Sequence, residues 1–150
     1  MAASGPSYSA RRFTIGELEQ IARGDRPLIE ESYPIPVGRL IAIIVLDALK
    51  KGAAAITIEP CEKRLVVKYA TDSAPGHEGM LAPDRLRTTI GELLKRLASI
   101  EPMGTRGVYA GVFEIESKDG GVIEIRVSTH PVLWGEKIEL RIFQRPRVWS

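Results

Sequence analysis

The chain has 150 residues, 44% hydrophobic and 27% charged, a length that can bury roughly 70% of the unfolded surface in one domain. That balance excludes global disorder, and no stretch reaches the roughly 18 apolar residues of a membrane span. With 21 basic and 19 acidic side chains the formal charge is +2, too even for a nucleic-acid-binding stripe; a single cysteine excludes an internal disulfide.

Residues 1–12, rich in Ala, Ser, Gly and Pro, read as a flexible tail. Arg11-Arg12 has the look of a twin-arginine export signal, but Thr14 to Gln20 is amphipathic and acidic where a signal needs an apolar run. The expectation is a cytoplasmic protein. Thr14 followed by Glu17 predicts a capping box, and Ile15, Leu18, Ile21 and Ala22 share one face of a short helix over about 15–23. Residues 27–36, with three prolines, predict an extended connection.

A second helix is predicted over about 37–51, opened behind Pro36 and stopped at Gly52. Val37, Leu40, Ile41, Ile44, Val45 and Ala48 form its core stripe, while Ile43 and Leu46 fall on the opposite side. A helix apolar nearly all round is buried on more than one side. Two readings stand for Ile43 and Leu46: cover by the N-terminal helix or connection, and a partner surface.

Strands over about 54–59 and 64–70 follow, then a surface loop over 71–82 and a third helix over about 83–100. Leu86, Ile90, Leu93, Leu97 and Ile100 face its core, and Arg85, Arg87, Glu92, Lys95 and Arg96 face outward. Three more strands are predicted over about 108–116, 121–129 and 136–143, with Asp119-Gly120 as a two-residue hairpin whose central positions both want positive φ. Ile123, Ile125 and Val127 alternate with Glu124, Arg126 and Ser128, the mark of a sheet with one wet face. The fold class is therefore α+β, a mostly antiparallel sheet of about five strands in the order α-ββ-α-βββ, helices on one face, with an extra N-terminal helix. Residues 36–145 form the domain, 13–35 the short helix and connection, and 146–150 a second tail.

No phosphate-loop, dinucleotide-binding or nucleophile-elbow motif occurs in the sequence. Glu59 and Glu62 lie beside Lys63 and Arg64 and read as surface charge; Cys61 has no histidine near it in sequence; His77 reads as a loop residue. His130, before Pro131 at a strand end, is a candidate for facing a groove. Nothing composes a catalytic site, a metal site or a cofactor site.

Three blocks carry a family resemblance. They are Pro36-Val37-Gly38-Arg39-Leu40-Ile41, then Gly52 to Pro60 (GAAAITIEP), then Glu124 to Pro131 (EIRVSTHP) with Gly135 to Phe143 (GEKIELRIF). Together they resemble the PAS-like domain that precedes the motor core of type II secretion and type IV pilus assembly ATPases (GspE/PilB-like). The family's R-[VI]-D-G and Q-D-G-R motifs, whose arginines are thought to reach nucleotide phosphates on the motor core, read here Ala70-Thr71-Asp72-Ser73 and Tyr109-Ala110-Gly111-Val112. Both arginine positions are apolar, Ala70 and Val112, and the motor core's own motifs are absent from the sequence.

What the resemblance implies is a non-catalytic adaptor or regulatory domain. It would bind a secretion or pilus motor ATPase or an inner-membrane platform component, reaching the inner face of the membrane through that partner without inserting directly. The partner-contact candidates are Ile43, Leu46, Trp134, where the family often has histidine, and Trp149, near the end. A second reading is a small-ligand or nucleotide-sensing groove using Arg126, His130 and Arg141; a third is an N-terminal piece of a longer ATPase. No nucleic acid is expected.

Overall fold

A computed structural model describes residues 11–29, 35–71, 74–82, 84–99, 101–102 and 108–145. Residues 1–10, 30–34 of the connection, and 146–150 with Trp149 lie outside the described residues. The elements in chain order are β1 (Arg11–Thr14), α1 (Ile15–Arg23), α2 (Ile35–Lys50), β2 (Ala55–Pro60), β3 (Leu65–Thr71), β4 (Ala74–Ala82), a 3₁₀ turn (Asp84–Leu86), α3 (Arg87–Leu97), β5 (Glu101–Pro102), β6 (Tyr109–Glu116), β7 (Val122–Val132) and β8 (Gly135–Arg145).

The class is α+β as expected, with more strands. The sheet runs β1-β6-β7-β8-β2-β3-β4, with β5 also on β6. Every pairing is antiparallel except β1 with β6. Two corrections concern local structure. Residues 74–82 form strand β4 on β3 rather than a loop, through a register broken twice by irregularities. Their proline and glycines hide the strand, which is held by backbone pairing to β3. The β6–β7 turn spans Ser117 to Gly121, and of its residues only Gly120 has positive φ, at 89°. Gly120 N–H donates to the Ser117 carbonyl at 3.0 Å, while the Asp119 carboxylate accepts from Gly121 N–H at 2.8 Å and from the Ser117 hydroxyl. The side chain of Asp119 thus closes a longer turn, and its backbone stays in the ordinary region.

The capping box forms as the sequence predicts. The Thr14 hydroxyl accepts from Glu17 N–H at 3.0 Å, and the Glu17 carboxylate accepts from Thr14 N–H at 2.9 Å. α1 packs on α2, where the Arg39 guanidinium donates to the Ala22 carbonyl at 3.0 Å. One core joins Leu18 and Ile21 of α1, Ile41, Ile44 and Val45 of α2, and Ile90, Leu93 and Leu94 of α3 to one face of the sheet. That face carries Phe13, Phe113, Ile115, Ile125, Val127, Leu140, Ile138, Ile56, Ile58 and Val67, all buried. Thr129 belongs to it as well, fully buried with its hydroxyl 3.4 Å from the Glu136 carboxylate, which in turn pairs with Lys95 at 2.8 Å. These residues hold α3 on β8. Gly91 gives the room: a Cβ there would lie 3.4 Å from a Glu136 oxygen.

Candidate functional site

The opposite sheet face carries the alternate residues of the same strands. Register places five of them side by side across β6, β7, β8, β2 and β3. Val112 faces Arg126, Arg126 faces Arg141, Arg141 faces Ala55, and Ala55 faces Ala70. The two positions that the resemblance gives to phosphate-contacting arginines therefore sit at the ends of one row, with the two retained arginines between them.

An open groove of about 610 Å³ meets this row at Arg126 and Arg141 and is lined besides by Gly52 to Ala54, Glu124 and Phe143 among others. A second hollow of about 370 Å³ shares Glu124, Arg126 and Arg141 with it. The charges along it are matched. Arg126 pairs with Glu124 two residues back and lies 4.2 Å over the Phe143 ring. Arg141 sits 3.5 Å from Glu139, Arg12 pairs with Glu114 at 2.8 Å, and Lys68 with Glu59 at 3.2 Å. Exposed pairs of this kind contribute about 0–1 kcal/mol each. They leave the face polar and balanced instead of strongly cationic, so it suits a broad, weakly charged contact better than capture of a free polyanion.

A second feature lies at one end of the molecule. Arg87, in the first turn of α3, donates to the carbonyls of Cys61 at 2.6 Å, of Arg64 at 3.2 Å and of Trp134, and pairs with Asp84. One guanidinium thereby ties the helix start to the β2–β3 turn and the β7–β8 turn. The sequence reading placed Arg87 and Lys95 on an outer, solvated face. Both are half-buried and engaged across elements, because their partners lie far away in the chain.

Of the residues singled out from sequence, Arg126 and Arg141 come together in the groove, while His130 faces Lys137 beyond its lining. Ile43 is exposed on α2, whereas Leu46 is half-buried against the core. Trp134 is exposed in the β7–β8 turn, on a different element from Ile43. Cys61 is a half-buried free thiol and Glu62 is exposed. His77 lies on β4 opposite Tyr69. Sequence reasoning missed Phe143 under Arg126, although its place after Ile142 in the β8 alternation signals the outer face. Among the described residues no group of three or more His, Cys, Asp or Glu is placed to hold a metal ion, and no helix is long and apolar enough to cross a membrane.

Comparison with known proteins places these features in a family. The family model for type II/IV secretion system proteins matches residues 30–149. The type IV pilus assembly ATPase PilB of Myxococcus xanthus is 31% identical over 148 residues, covering 96% of this chain and 26% of that protein. PilB of Pseudomonas aeruginosa is 35% identical over 112 residues, 75% of this chain and 20% of its own length. The type II secretion system protein E of Xanthomonas campestris is 29% identical over 150 residues, 94% of this chain and 26% of its own. The chain spans about a quarter of the length of such relatives. With its match running from residue 30 to 149, the chain belongs to the type II/IV secretion system protein family.

Proposed function

We propose that this chain is a non-catalytic contact domain of a secretion or pilus assembly system, acting by binding a motor ATPase or its membrane platform rather than by nucleotide chemistry. The observation that carries this reading is the cross-strand row on the face that no described helix covers. Ala70 and Val112 stand where the resemblance implies phosphate-contacting arginines, and the two arginines between them each have a carboxylate two residues away on their own strand. The contact surface is this balanced face with Phe143; exposed Ile43, on α2 across the sheet from it, offers a separate contact point. Any nucleotide would be held by the partner.

A thermal-shift titration with ATP, ADP, GTP and cyclic dinucleotides at about 1 mM tests the reading. The expected result is no shift, with a change in turnover when the chain is added to a pilus or secretion ATPase. A ligand present at about 100 times its dissociation constant would stabilise the fold by roughly 2.7 kcal/mol, a rise of roughly 5–10 °C for a domain this size. Such a rise overturns the contact reading. It would favour the second one, a small anionic ligand in the groove, which the direct opposition of Arg126 and Arg141 supports.

A further inference from the structure

A hollow of about 440 Å³ opens on the helix side of the sheet, at its β1 edge. Phe13, Leu28 and Ile29 form its floor, each 6–8% exposed and each part of the core. Its rim carries Arg11 of β1, Arg26 from the bend after α1 and Arg96 of α3, all three exposed. No acidic residue lines it. Arg11 is the least expected of the three. Strand side chains alternate between faces, so Arg11 shares the face of Phe13, and its register partner is the buried Phe113. A cation therefore stands on the apolar side of the sheet, and among the described residues no carboxylate pairs with it. Arg26 meets Glu17 at 3.4 Å in an exposed pair, and Arg96, which has an interaction of its own, adds its charge to the rim.

The occupant that complements such a rim is anionic, and helix polarity decides its kind. Arg26 follows the C-terminal end of α1, and Arg96 lies in the last turn of α3. Helix ends of that polarity carry partial negative charge on their carbonyls. They oppose the concentrated charge of a phosphate group, which helix N-termini hold instead. Carboxylates spaced along a peptide can each meet one guanidinium at the rim. An apolar side chain between them would lie on the floor, which a bare polyanion leaves unused.

We propose that this hollow takes an acidic segment of the protein partner, one that carries an apolar side chain between carboxylates. This rests on the contact reading and names the partner's chemistry, at a place on the other side of the sheet from Arg126 and Arg141.

The test is a chemical-shift titration of the isotope-labelled whole chain with the peptide Glu-Glu-Leu-Glu-Glu at millimolar concentration and low salt, repeated with Glu-Glu-Ser-Glu-Glu and with tripolyphosphate. The amide signals of Phe13, Leu28, Ile29 and Arg96 should move with the leucine peptide and less with the serine one, and the shifts should shrink as salt rises. Arg11→Glu should weaken binding about fivefold or more at an unchanged melting temperature, while Arg11→Lys keeps most of it. If Arg11→Glu loosens β1, Arg96→Gln makes the same comparison. No movement of those signals overturns the proposal, as does movement confined to Arg126 and Arg141, equal binding by Arg11→Glu, or tighter binding of tripolyphosphate, which would make the hollow a phosphate site. Binding that appears only in Glu30→Gln/Glu31→Gln also overturns it, and gives the arginines to the acidic pair that follows Ile29 in the sequence. The contact reading is judged apart, by turnover of a pilus or secretion ATPase: an effect of the chain that Arg11→Glu retains keeps that reading and removes this one.

Discussion

Tyr69 carries a hydroxyl into the core with no hydrogen bond of ordinary geometry. Its ring lies on the helix side of β3 with the Lys51 ammonium 4.9 Å from its centre, and Lys51 pairs with Asp47 at 2.9 Å. Burial, and after it the nearby Asp47 carboxylate, pushes the phenol's pKa well above the ordinary tyrosine value of 10.0. The fold therefore prefers the neutral phenol. Below pH 10 Tyr69 adds no pH dependence; above it the unfolded chain ionises first and stability falls. Tyr69→Phe removes both the buried hydroxyl and this alkaline loss. At neutral pH the variant should be as stable as the parent or more so, because an unsatisfied buried hydroxyl costs about 1–3 kcal/mol. Melting curves at pH 8 and pH 11 check it: the gap in favour of the variant should widen at the higher pH, and a constant gap would contradict the assignment.

At the scale of elements, the Arg87 clasp and the two sides of α2 give separate predictions. Arg87→Lys keeps the charge but not the planar fork that reaches several carbonyls at once. A loss of about 1–2 kcal/mol is expected, with faster hydrogen exchange in the β7–β8 turn; unchanged exchange there would mean that the turn holds itself. On α2, Ile43→Arg places a charge where the residue is already exposed and should change stability by about 0.5 kcal/mol or less. Leu46→Arg drives a charge against the core and should cost several times more. Chemical denaturation of the pair separates the readings of that face: equal, small effects would return Leu46 to the partner surface. The sequence made α1, α2 and the strands β2, β3, β6, β7 and β8 legible, because Thr14 with Glu17, Pro36 with Gly52, and the alternation of β7 and β8 are local signals. It did not reveal β4, whose Ala74-Pro75-Gly76 start lacks alternation, nor Arg87, whose acceptors are backbone carbonyls 23, 26 and 47 residues away. Arg126 and Arg141 were legible as outer-face residues, but their alignment with Val112 and Ala70 depends on the register of five strands.

For the molecule as a whole, the N-terminal segment matters more than a tail and connection would. β6 is an edge that three separate pieces of chain cover in turn. β5 pairs with Ala110 and Tyr109, the Ala98 carbonyl at the end of α3 accepts from Val112 N–H at 3.0 Å, and β1 runs parallel beside Phe113 to Glu116. An uncovered edge of this length invites pairing with another chain. Phe13 fixes β1 in place: it is buried, and its ring meets Phe113 edge to face with centroids 6.3 Å apart. Since Phe13, Leu18 and Ile21 belong to the same core as Ile125 and Leu140, Phe13→Ala should weaken the entire fold. The cost expected for such a truncation is about 3–5 kcal/mol, or a melting temperature lower by roughly 6–20 °C. Calorimetry should show one transition moved down as a unit, and light scattering should show more association as β1 releases the β6 edge. An early, separate melting step beside an unmoved main transition would instead make β1 and α1 an independent appendage, and the edge of β6 stable without them.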